Sequence, residues 1–309
     1  MGTYEGVFHA DRSQNSKATA RVIAEGPGYY RVLVQAEPLS AGDPTLQFEI
    51  YGVQQGTTVN LFGRANAQRW QGAIVGEKLT ASPGYYGMGL ELTKTVQKSP
   101  TEVAPVPSDA VVLLPFSPGN PPDISAWKGG SWKPQEDGSL QCEPSKGSIT
   151  TQRNFGDMKL HLEFWLPLMA DSFGQARANS GVIINNIYEV QVLDSYGLVP
   201  AAGDCGAIYD QNRPKVNASL PPEQWQTYDI TFRAPRMNGD GSVAEKARIT
   251  VDLNGIRVQD NVTIAGATAG HQPGKPPVNA ATGPLQLQDH GNRVRYRNVW
   301  LQELKDARP

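Results

Sequence analysis

The sequence consists of short strand-like runs, and almost none of it repeats its apolar residues with helical period over a useful length. Runs such as KLHLEFWLP at 159–167 alternate apolar and polar residues, which is the period of a half-buried strand. Asn254-Gly255 joins two such runs and is a strong signal for a two-residue hairpin. With 32 glycines and 24 prolines available for turns, the pattern predicts an all-β chain folded as an antiparallel sandwich or jelly roll.

The strand-like runs fall into two groups separated by a proline-rich stretch. Residues 1–95 contain short runs between Gly, Pro and Asp-rich breaks, and they predict a small β domain. Residues 96–110 combine three prolines with small polar residues, and they predict a linker. Residues 111–309 carry the stronger strands and predict the larger, jelly-roll domain.

Charge and hydropathy exclude several classes of partner. The 309 residues have a formal net charge of −2, which argues against a dedicated binder of nucleic acid or of anionic membranes. No apolar run is long enough to span a bilayer. The start, MGTYEGVF, lacks the basic and apolar regions of a signal peptide, so for an exported protein the leader would be absent from this sequence.

Cysteines and histidines give no metal pattern. Cys142 and Cys205 are too few for a zinc cluster, and either one bridge or two buried free thiols fits them. The four histidines show no HExxH or comparable spacing. No Asp-rich loop announces a calcium site. We therefore expect no cofactor, although calcium or another divalent metal stays open without a motif to support it.

The stretch YEVQVLDSYG at 188–197 carries unusual polarity for so apolar a strand. Glu189 and Gln191 would share one face of a regular strand, and Asp194 would point to the other. Asp194 would then lie on the core side, where an unpaired carboxylate is costly. Either the strand bulges before Asp194, or Asp194 ends the strand and caps the turn at 195–197.

Several long blocks resemble one known family. They include FGDMKLHLEFWLP, NSGVIINNIYEVQVLDSYG, PPEQWQTYDITFRAPR and GPLQLQDHGNRVRYRNVWLQEL, in this order, and the resemblance spans roughly residues 110 to 305. The family is 3-keto-disaccharide hydrolase, long described as a domain of unknown function, in the concanavalin A-like lectin/glucanase superfamily. The residues before the linker resemble an accessory domain that some bacterial members carry.

The resemblance implies a concanavalin-like jelly roll and cleavage of glycosides already oxidised at C3 of the sugar. It also implies a secreted or periplasmic bacterial protein. The sequence departs from the family pattern at two positions. Trp165 stands where an arginine is common, and Ser219 stands where many members have a cysteine that could pair with the equivalent of Cys205. A local disulfide at Cys205 is therefore not expected.

The resemblance also suggests how Glu189, Gln191 and Asp194 could act together. In the laminarinase-like branch of this sandwich, a strand carries Glu-x-Asp-x-x-Glu, and a β-bulge returns the last carboxylate to the face of the first two. The string from Glu189 to Asp194 has the same spacing, so we expect a bulge near 192–193 that turns all three side chains into the groove. Val190 and Val192 would then face the core.

Cleavage of a 3-keto-glycoside needs a base near C2, an acid for the leaving oxygen and a group that holds the enolate oxygen. Glu189 and Asp194 are the candidate base and acid, Arg177 is a candidate clamp, and His290 could serve as base, acid or metal ligand. Ordinary two-carboxylate hydrolysis stays open as well. The expected substrate-binding residues are Arg177, Asn179, Gln191, Gln288 and Trp165.

These residues also have non-catalytic interpretations. Arg177 and Asn179 could cap a loop, and His290 could be a turn residue. Trp127, Trp132 and Trp165 could stack on sugars or simply supply apolar area. The whole sandwich could be a non-catalytic, lectin-like module for carbohydrate, and the first domain could serve in assembly. The sequence does not indicate an oligomeric state.

Overall fold

The computed structural model describes residues 1–84, 87–268 and 281–304, and it divides the chain into two compact units. One unit comprises Met1–Gln97 together with Met169–Phe173. The other comprises Lys98–Leu168 and Gly174–Pro309. Each unit is built from strands, and within the described residues the single helical element is a short 3-10 turn. No helix in this part of the chain is long and apolar enough to cross a membrane.

The first unit is a closed barrel of eight antiparallel strands, each hydrogen-bonded to the next, with β8 closing on β1. Alternate side chains point inward and form a core that includes Tyr4, Ile50, Trp70 and Leu90. The strands are β1 Gly2–His9, β2 Asn15–Ala24, β3 Tyr29–Ala36, β4 Leu46–Gln55, β5 Thr58–Ala65, β6 Gln68–Val75, β7 Lys78–Ser82 and β8 Gly89–Thr95.

The second unit is a sandwich of two antiparallel sheets, which confirms the predicted jelly-roll class. The smaller sheet has the order β10-β13-β22-β15-β16. Its strands are β10 Trp127–Gly129, β13 Ile149–Thr151, β15 Asn179–Ile184, β16 Tyr188–Leu193 and β22 Leu285–Leu287. The 3-10 turn Gly174–Ala176 precedes β15.

The larger sheet has eight strands in the order β11-β12-β23-β14-β17-β20-β21, with β9 also pairing β23. Its strands are β9 Val111–Leu114, β11 Lys133–Pro134, β12 Leu140–Gln141, β14 Met158–Trp165, β17 Trp225–Arg233, β20 Arg248–Leu253, β21 Ile256–Thr263 and β23 Arg295–Glu303. The pair β18 Arg236–Met237 and β19 Val243–Glu245 stands apart. The predicted hairpin at Asn254-Gly255 is confirmed, because both residues have positive φ between the paired Leu253 and Ile256.

Ring contacts show which faces meet in the core. Tyr188 of the smaller sheet contacts Phe232 of the larger sheet, with 5.7 Å between ring centroids. Tyr188, Val190 and Val192 therefore point between the sheets, and each is at most 2% exposed. Alternation places Glu189 and Gln191 on the opposite, outer face of the smaller sheet.

Part of the segment 96–110, which composition predicts to be a linker, is hydrogen-bonded to the larger sheet. Residues 99–104 belong to the second unit and lie along the outer face of the larger sheet. The Thr101 hydroxyl donates to Asp229 at 2.7 Å, and the Val103 amide donates to Glu163 at 2.6 Å. This segment explains why His161 and Glu163, on the polar side of the alternating β14, are nevertheless buried.

Candidate active site

Glu189 lies in the middle of β16 and points to the outer face of the smaller sheet. Its neighbour across the ladder is β15, where Gly181 stands on the same face. A Cβ at Gly181 would lie 2.4 Å from Oε1 of Glu189, so a glycine is required for the carboxylate to occupy this position. A glycine inside a strand often marks such a close approach.

The Glu189 carboxylate is isolated from solvent and from charge partners. The residue is 5% exposed, and among the described residues no donor is hydrogen-bonded to its side chain. Burial raises its pKa to about 7, since an ionised carboxylate is poorly solvated there. Glu189 is thus able to hold or release a proton at neutral pH, which is the property of a general base or acid.

Tyr209 is an ionisable residue whose pKa responds to the charge of Glu189. Its amide donates to the Glu189 carbonyl at 3.1 Å, because residues 206–209 pair with the free edge of β16. Burial raises the pKa of the Tyr209 hydroxyl, and the negative charge of Glu189 raises it further. A neutral hydroxyl therefore lies near the carboxylate.

Amide side chains occupy the outer face beside Glu189. Gln175, from the 3-10 turn, accepts a hydrogen bond from Gln191 Nε2 at 2.8 Å and one from Asn179 Nδ2 at 3.1 Å. The side chain of Gln288 lies on the same outer face as Glu189. Its backbone N–H donates to the Gly181 carbonyl at 3.0 Å, so Gln288 is paired with Gly181. On this face, three buried amide oxygens have no hydrogen-bond partner among the described residues: Asn179 Oδ1, Gln191 Oε1 and Gln288 Oε1.

These orphan oxygens fit a ligand that carries hydroxyl groups. A buried acceptor without a partner costs about 1–3 kcal/mol, so such groups are normally satisfied by protein, water or ligand. Sugar hydroxyls are donors of the matching kind. The structure therefore brings together four residues predicted for the site, Glu189, Gln191, Asn179 and Gln288, and adds Gln175 and Tyr209.

The predicted β-bulge is absent, and Asp194 does not join Glu189. The register between β15 and β16 is unbroken from Ile184↔Tyr188 to Asn179↔Leu193, and the Asp194 amide still donates to the Ala178 carbonyl at 2.9 Å. Alternation then leaves Asp194 on the side of Val190 and Val192. The expectation that both carboxylates enter one groove is wrong, because no extra residue resets the alternation.

Asp194 is instead the partner of Arg177. The guanidinium donates to Oδ2 of Asp194 through Nε at 2.9 Å and Nη2 at 2.6 Å, and both residues are buried. Burial raises the pKa of Asp194, and the charge of Arg177 opposes that shift. A carboxylate with 1% side-chain exposure and two hydrogen bonds from one guanidinium to a single oxygen serves to hold the end of β16 rather than to contact substrate.

Two other predicted site residues make no contact with Glu189 in the described residues. Trp165 ends β14 and, by alternation with the buried Phe164, points out from the larger sheet, where the Arg295 guanidinium lies 4.9 Å from its ring. The expectation that Trp165 contacts the same sugar as Glu189 is wrong. His290 is exposed in the turn after β22, where the Gly291 amide donates to Asp289 at 2.8 Å. The turn interpretation of His290 fits this position.

The remaining expectations concern tryptophans, thiols and metals. Trp127 and Trp132 are buried, and their indole N–H groups donate to the carbonyls of Leu113 and Gly147, so neither presents a face for sugar stacking. Cys142 and Cys205 are both free and buried. Within residues 1–84, 87–268 and 281–304, no group of three or more His, Cys, Asp or Glu side chains is placed to hold a metal ion.

The two-sheet sandwich of the second unit belongs to the class of glycosyl hydrolase-like sandwich folds. The chain belongs to the family of the 3-keto-alpha-glucoside-1,2-lyase-like domain, whose sequence model matches residues 115–302. Among curated proteins, none matches the chain.

Two solved structures are similar to this chain, and both are proteins of Parabacteroides distasonis ATCC 8503 described as a "putative glycosyl hydrolase". The first is 36% identical, covers 64% of this chain and 85% of its own, and superposes with a TM-score of 0.58. The second is 18% identical, covers 59% of this chain and 90% of its own, and has a TM-score of 0.44.

Proposed function

We propose that the second unit cleaves glycosides that carry a ketone at C3 of the sugar, by elimination followed by addition of water, with Glu189 as the base. The observation that carries the proposal is the Glu189 carboxylate, which is buried, has no hydrogen-bond donor in the described residues and has a pKa of about 7. The family match to a 3-keto-alpha-glucoside-1,2-lyase-like domain supplies the substrate class.

The C3 ketone makes the C2 hydrogen acidic, so a carboxylate of this kind is strong enough to remove it. Glu189 takes the C2 proton, and the C2–H electron pair forms the enolate with its charge on O3. When the ketone re-forms, that electron pair becomes the C1=C2 double bond, and the C1–O glycosidic bond breaks. The departing oxygen takes a proton, for which we assign the Tyr209 hydroxyl. Water then adds at C1 and returns a proton to the Tyr209 phenolate, and C2 regains a proton from Glu189, so the net reaction is hydrolysis.

Direct hydrolysis by two carboxylates fits the site less well. That reaction needs two carboxyl groups about 5–9.5 Å apart on either side of the glycosidic bond. In the five described strands of the smaller sheet, Glu189 is the only acidic residue at an outward position. The second predicted carboxylate, Asp194, lies on the other side of the strand and is paired with Arg177.

The amide cluster supports recognition of a neutral, hydroxylated ring. The unpaired oxygens of Asn179, Gln191 and Gln288 are acceptors for sugar hydroxyls. A purely sugar-binding, lectin-like role would be expected to use stacked aromatic rings, but Trp127 and Trp132 are buried and Trp165 points out from the larger sheet. These positions count against the lectin-like alternative.

The proposal is tested with 4-nitrophenyl 3-ketoglucosides of both anomers, followed by release of nitrophenolate. Turnover should fall by roughly 10²–10⁴-fold in Glu189→Gln, the usual contribution of a general base. It should stay unchanged in Glu136→Gln, which alters an exposed carboxylate in the same unit.

Deuterium separates elimination from direct hydrolysis. If C2–H removal limits the rate, deuterium at C2 of the substrate slows turnover, and in deuterated water the product gains deuterium at C2. A folded, unmutated protein that turns over neither anomer would refute the proposal. Turnover without exchange at C2 would replace elimination by direct hydrolysis.

A further inference from the structure

A buried histidine on the larger sheet lies beside the segment 99–104, which we call the strap. His161 is on the outer face of β14 and is 1% exposed. Its Nδ1 lies 2.7 Å from Oδ1 of Asp229, and its Nε2 lies 3.6 Å from Oε1 of Glu163. The ring of Trp300 stacks on the imidazole, with 5.0 Å between the ring centroids. His161 therefore has a carboxylate at each of its two ring nitrogens.

The same two carboxylates hold the strap on the larger sheet. Oδ2 of Asp229 accepts from the Thr101 hydroxyl at 2.7 Å, and Oε1 of Glu163 accepts from the Val103 amide at 2.6 Å. Val103 has a φ of 58°, a conformation that is strained for a β-branched residue and requires such contacts to hold it. Its side chain is 53% exposed, so apolar packing contributes little there. The strap therefore depends on the charges of the two carboxylates.

The protonation of His161 decides how far these charges are neutralised. Arg297 donates to Oε2 of Glu163 at 2.7 Å and lies 3.0 Å from Glu102 of the strap, so two carboxylates share it. Protonated His161 is a second cation, between Glu163 and Asp229. Neutral His161 that still donates from Nδ1 to Asp229 directs the lone pair of Nε2 at the Glu163 carboxylate. The other charged residues on this face of the neighbouring strands are Lys159 of β14, which is exposed, and the ion pair of Asp252 on β20 with Arg257 on β21.

The direction of the pH effect follows from these contacts. Burial lowers the pKa of His161, but the hydrogen bonds and charges of Asp229 and Glu163 outweigh burial and leave the pKa above its ordinary value of 6.5. The protein with its strap in place therefore binds this proton more tightly than a form in which His161 is exposed. The stabilisation of the strap is complete below pH 6.5, and it is lost as the pH rises through the raised pKa.

From these contacts we infer that His161 is a pH-sensitive switch, which keeps the strap on the larger sheet when protonated and lets the strap detach when neutral. The switch lies on the outer face of the larger sheet, whereas Glu189 lies on the outer face of the smaller sheet. It is therefore independent of the reaction proposed for Glu189.

Hydrogen exchange followed by mass spectrometry tests the switch in the full chain, between pH 6 and pH 9, with rates corrected for the intrinsic effect of pH on exchange. The amides of Glu102, Val103 and Ala104 are all hydrogen-bonded, so the strap gives a signal. Its protection should be constant up to about pH 6.5 and should then fall as the pH rises. Protection of the barrel strand β3, the internal reference, should not change. Constant protection of the strap from pH 6 to pH 9 would overturn the inference.

Three variants assign the effect to its residue. His161→Gln keeps a donor beside Asp229 without a titratable charge, so at pH 6 its strap should exchange as it does in the unmutated protein at pH 9. Asp229→Asn keeps an acceptor for Thr101 and changes a side chain that is 33% exposed. It should move the midpoint of strap release to lower pH, because one of the two charges that favour protonated His161 is gone. His290→Gln, at an exposed histidine of the same unit, is the control and should leave the midpoint unchanged.

Either of two results in these variants would overturn the inference. The first is an unchanged pH dependence in His161→Gln, and the second is an unshifted midpoint in Asp229→Asn. If His161→Gln does not fold, the midpoint in Asp229→Asn decides alone.

Discussion

Glu189→Gln should stabilise the second unit, and the gain should increase with pH. Burial raises the pKa of Glu189 from 4.5 to about 7 in the folded protein. The folded protein therefore holds this proton more tightly than the unfolded chain does. Below pH 4.5, Glu189 is protonated in both the folded and the unfolded state, so it does not lower the free energy of unfolding. As the pH rises from 4.5 to about 7, the unfolded chain ionises more readily, and the free energy of unfolding falls.

The magnitude follows from the pKa difference. At about 1.36 kcal/mol per pKa unit, a shift from 4.5 to about 7 gives a full cost of about 3 kcal/mol, which is nearly reached at pH 8. At pH 5 the same calculation gives a cost of about 0.8 kcal/mol. Gln has the same shape and no charge at either pH. For a unit of this size, the melting temperature should rise by roughly 6–12 °C at pH 8 and by roughly 2–3 °C at pH 5.

Thermal unfolding followed by tryptophan fluorescence measures this difference, since five of the six tryptophans lie in the second unit. The control is Glu136→Gln, which changes an exposed glutamate of the same unit. A gain of equal size at pH 5 and pH 8, or a loss of stability in Glu189→Gln at pH 8, would show that the carboxylate is not held in an unfavourable environment. The same substitution strongly lowers turnover in our proposal, so stability and activity should change in opposite directions.

Further changes test the positions of other residues. Since Glu189 must be ionised to act as a base, kcat/KM should rise with pH to a plateau above about pH 7, and a profile that falls over this range would contradict its role. Gly181→Ala should lower activity, because its Cβ would lie 2.4 Å from Oε1 of Glu189 and would displace the carboxylate, whereas Gly239→Ala, which meets nothing within 4 Å, should leave activity unchanged. Asp194→Asn should lower the midpoint of chemical denaturation, because a neutral amide replaces the charged acceptor of two buried hydrogen bonds from Arg177, and an unchanged midpoint would contradict that ion pair. Trp165→Ala should leave KM for the 3-keto-glycoside unchanged, and a raised KM would return Trp165 to the substrate site.

Alternation in the sequence predicted the strands well and their environment less well. The run from Leu160 to Leu166 packs into the core at every second residue, as its pattern predicts. The polar positions His161 and Glu163 were assigned to the opposite side and do point there, yet both are buried. The reason is the segment 99–104, whose single proline and small polar residues resemble a linker because they carry no strand period. Its hydrogen bonds to Glu163 and Asp229 join residues far apart in sequence, and no local pattern announces them.

The candidate site divides in the same way. Glu189 and Gln191 could be predicted because polar residues at every second position of an apolar strand must share one face. Asp194 could not, because a bulge depends on how many residues the partner strand supplies, and the spacing within one strand does not contain that information. Gln175 and Tyr209 lie in a 3-10 turn and in an irregular edge segment, where periodicity gives no signal. Gly181 is a signal in the sequence, because a glycine inside an apolar strand often marks the close approach of another group, here the Glu189 carboxylate.

Because Asp194 lies on the opposite side of β16 from Glu189, the site favours a different reaction from two-carboxylate hydrolysis. A pair of carboxylates can attack C1 of an ordinary glycoside and protonate its leaving oxygen, whereas a single carboxylate with a pKa of about 7 is too weak a reagent for that bond. It is well matched to a carbon acid, because a ketone next to C2 brings the acidity of that hydrogen within reach of a general base near neutrality. In our proposal, the Glu189 face therefore acts on a substrate that has been activated beforehand by an oxidation at C3. The unoxidised 4-nitrophenyl glucosides should then remain uncleaved under conditions in which the 3-keto forms react.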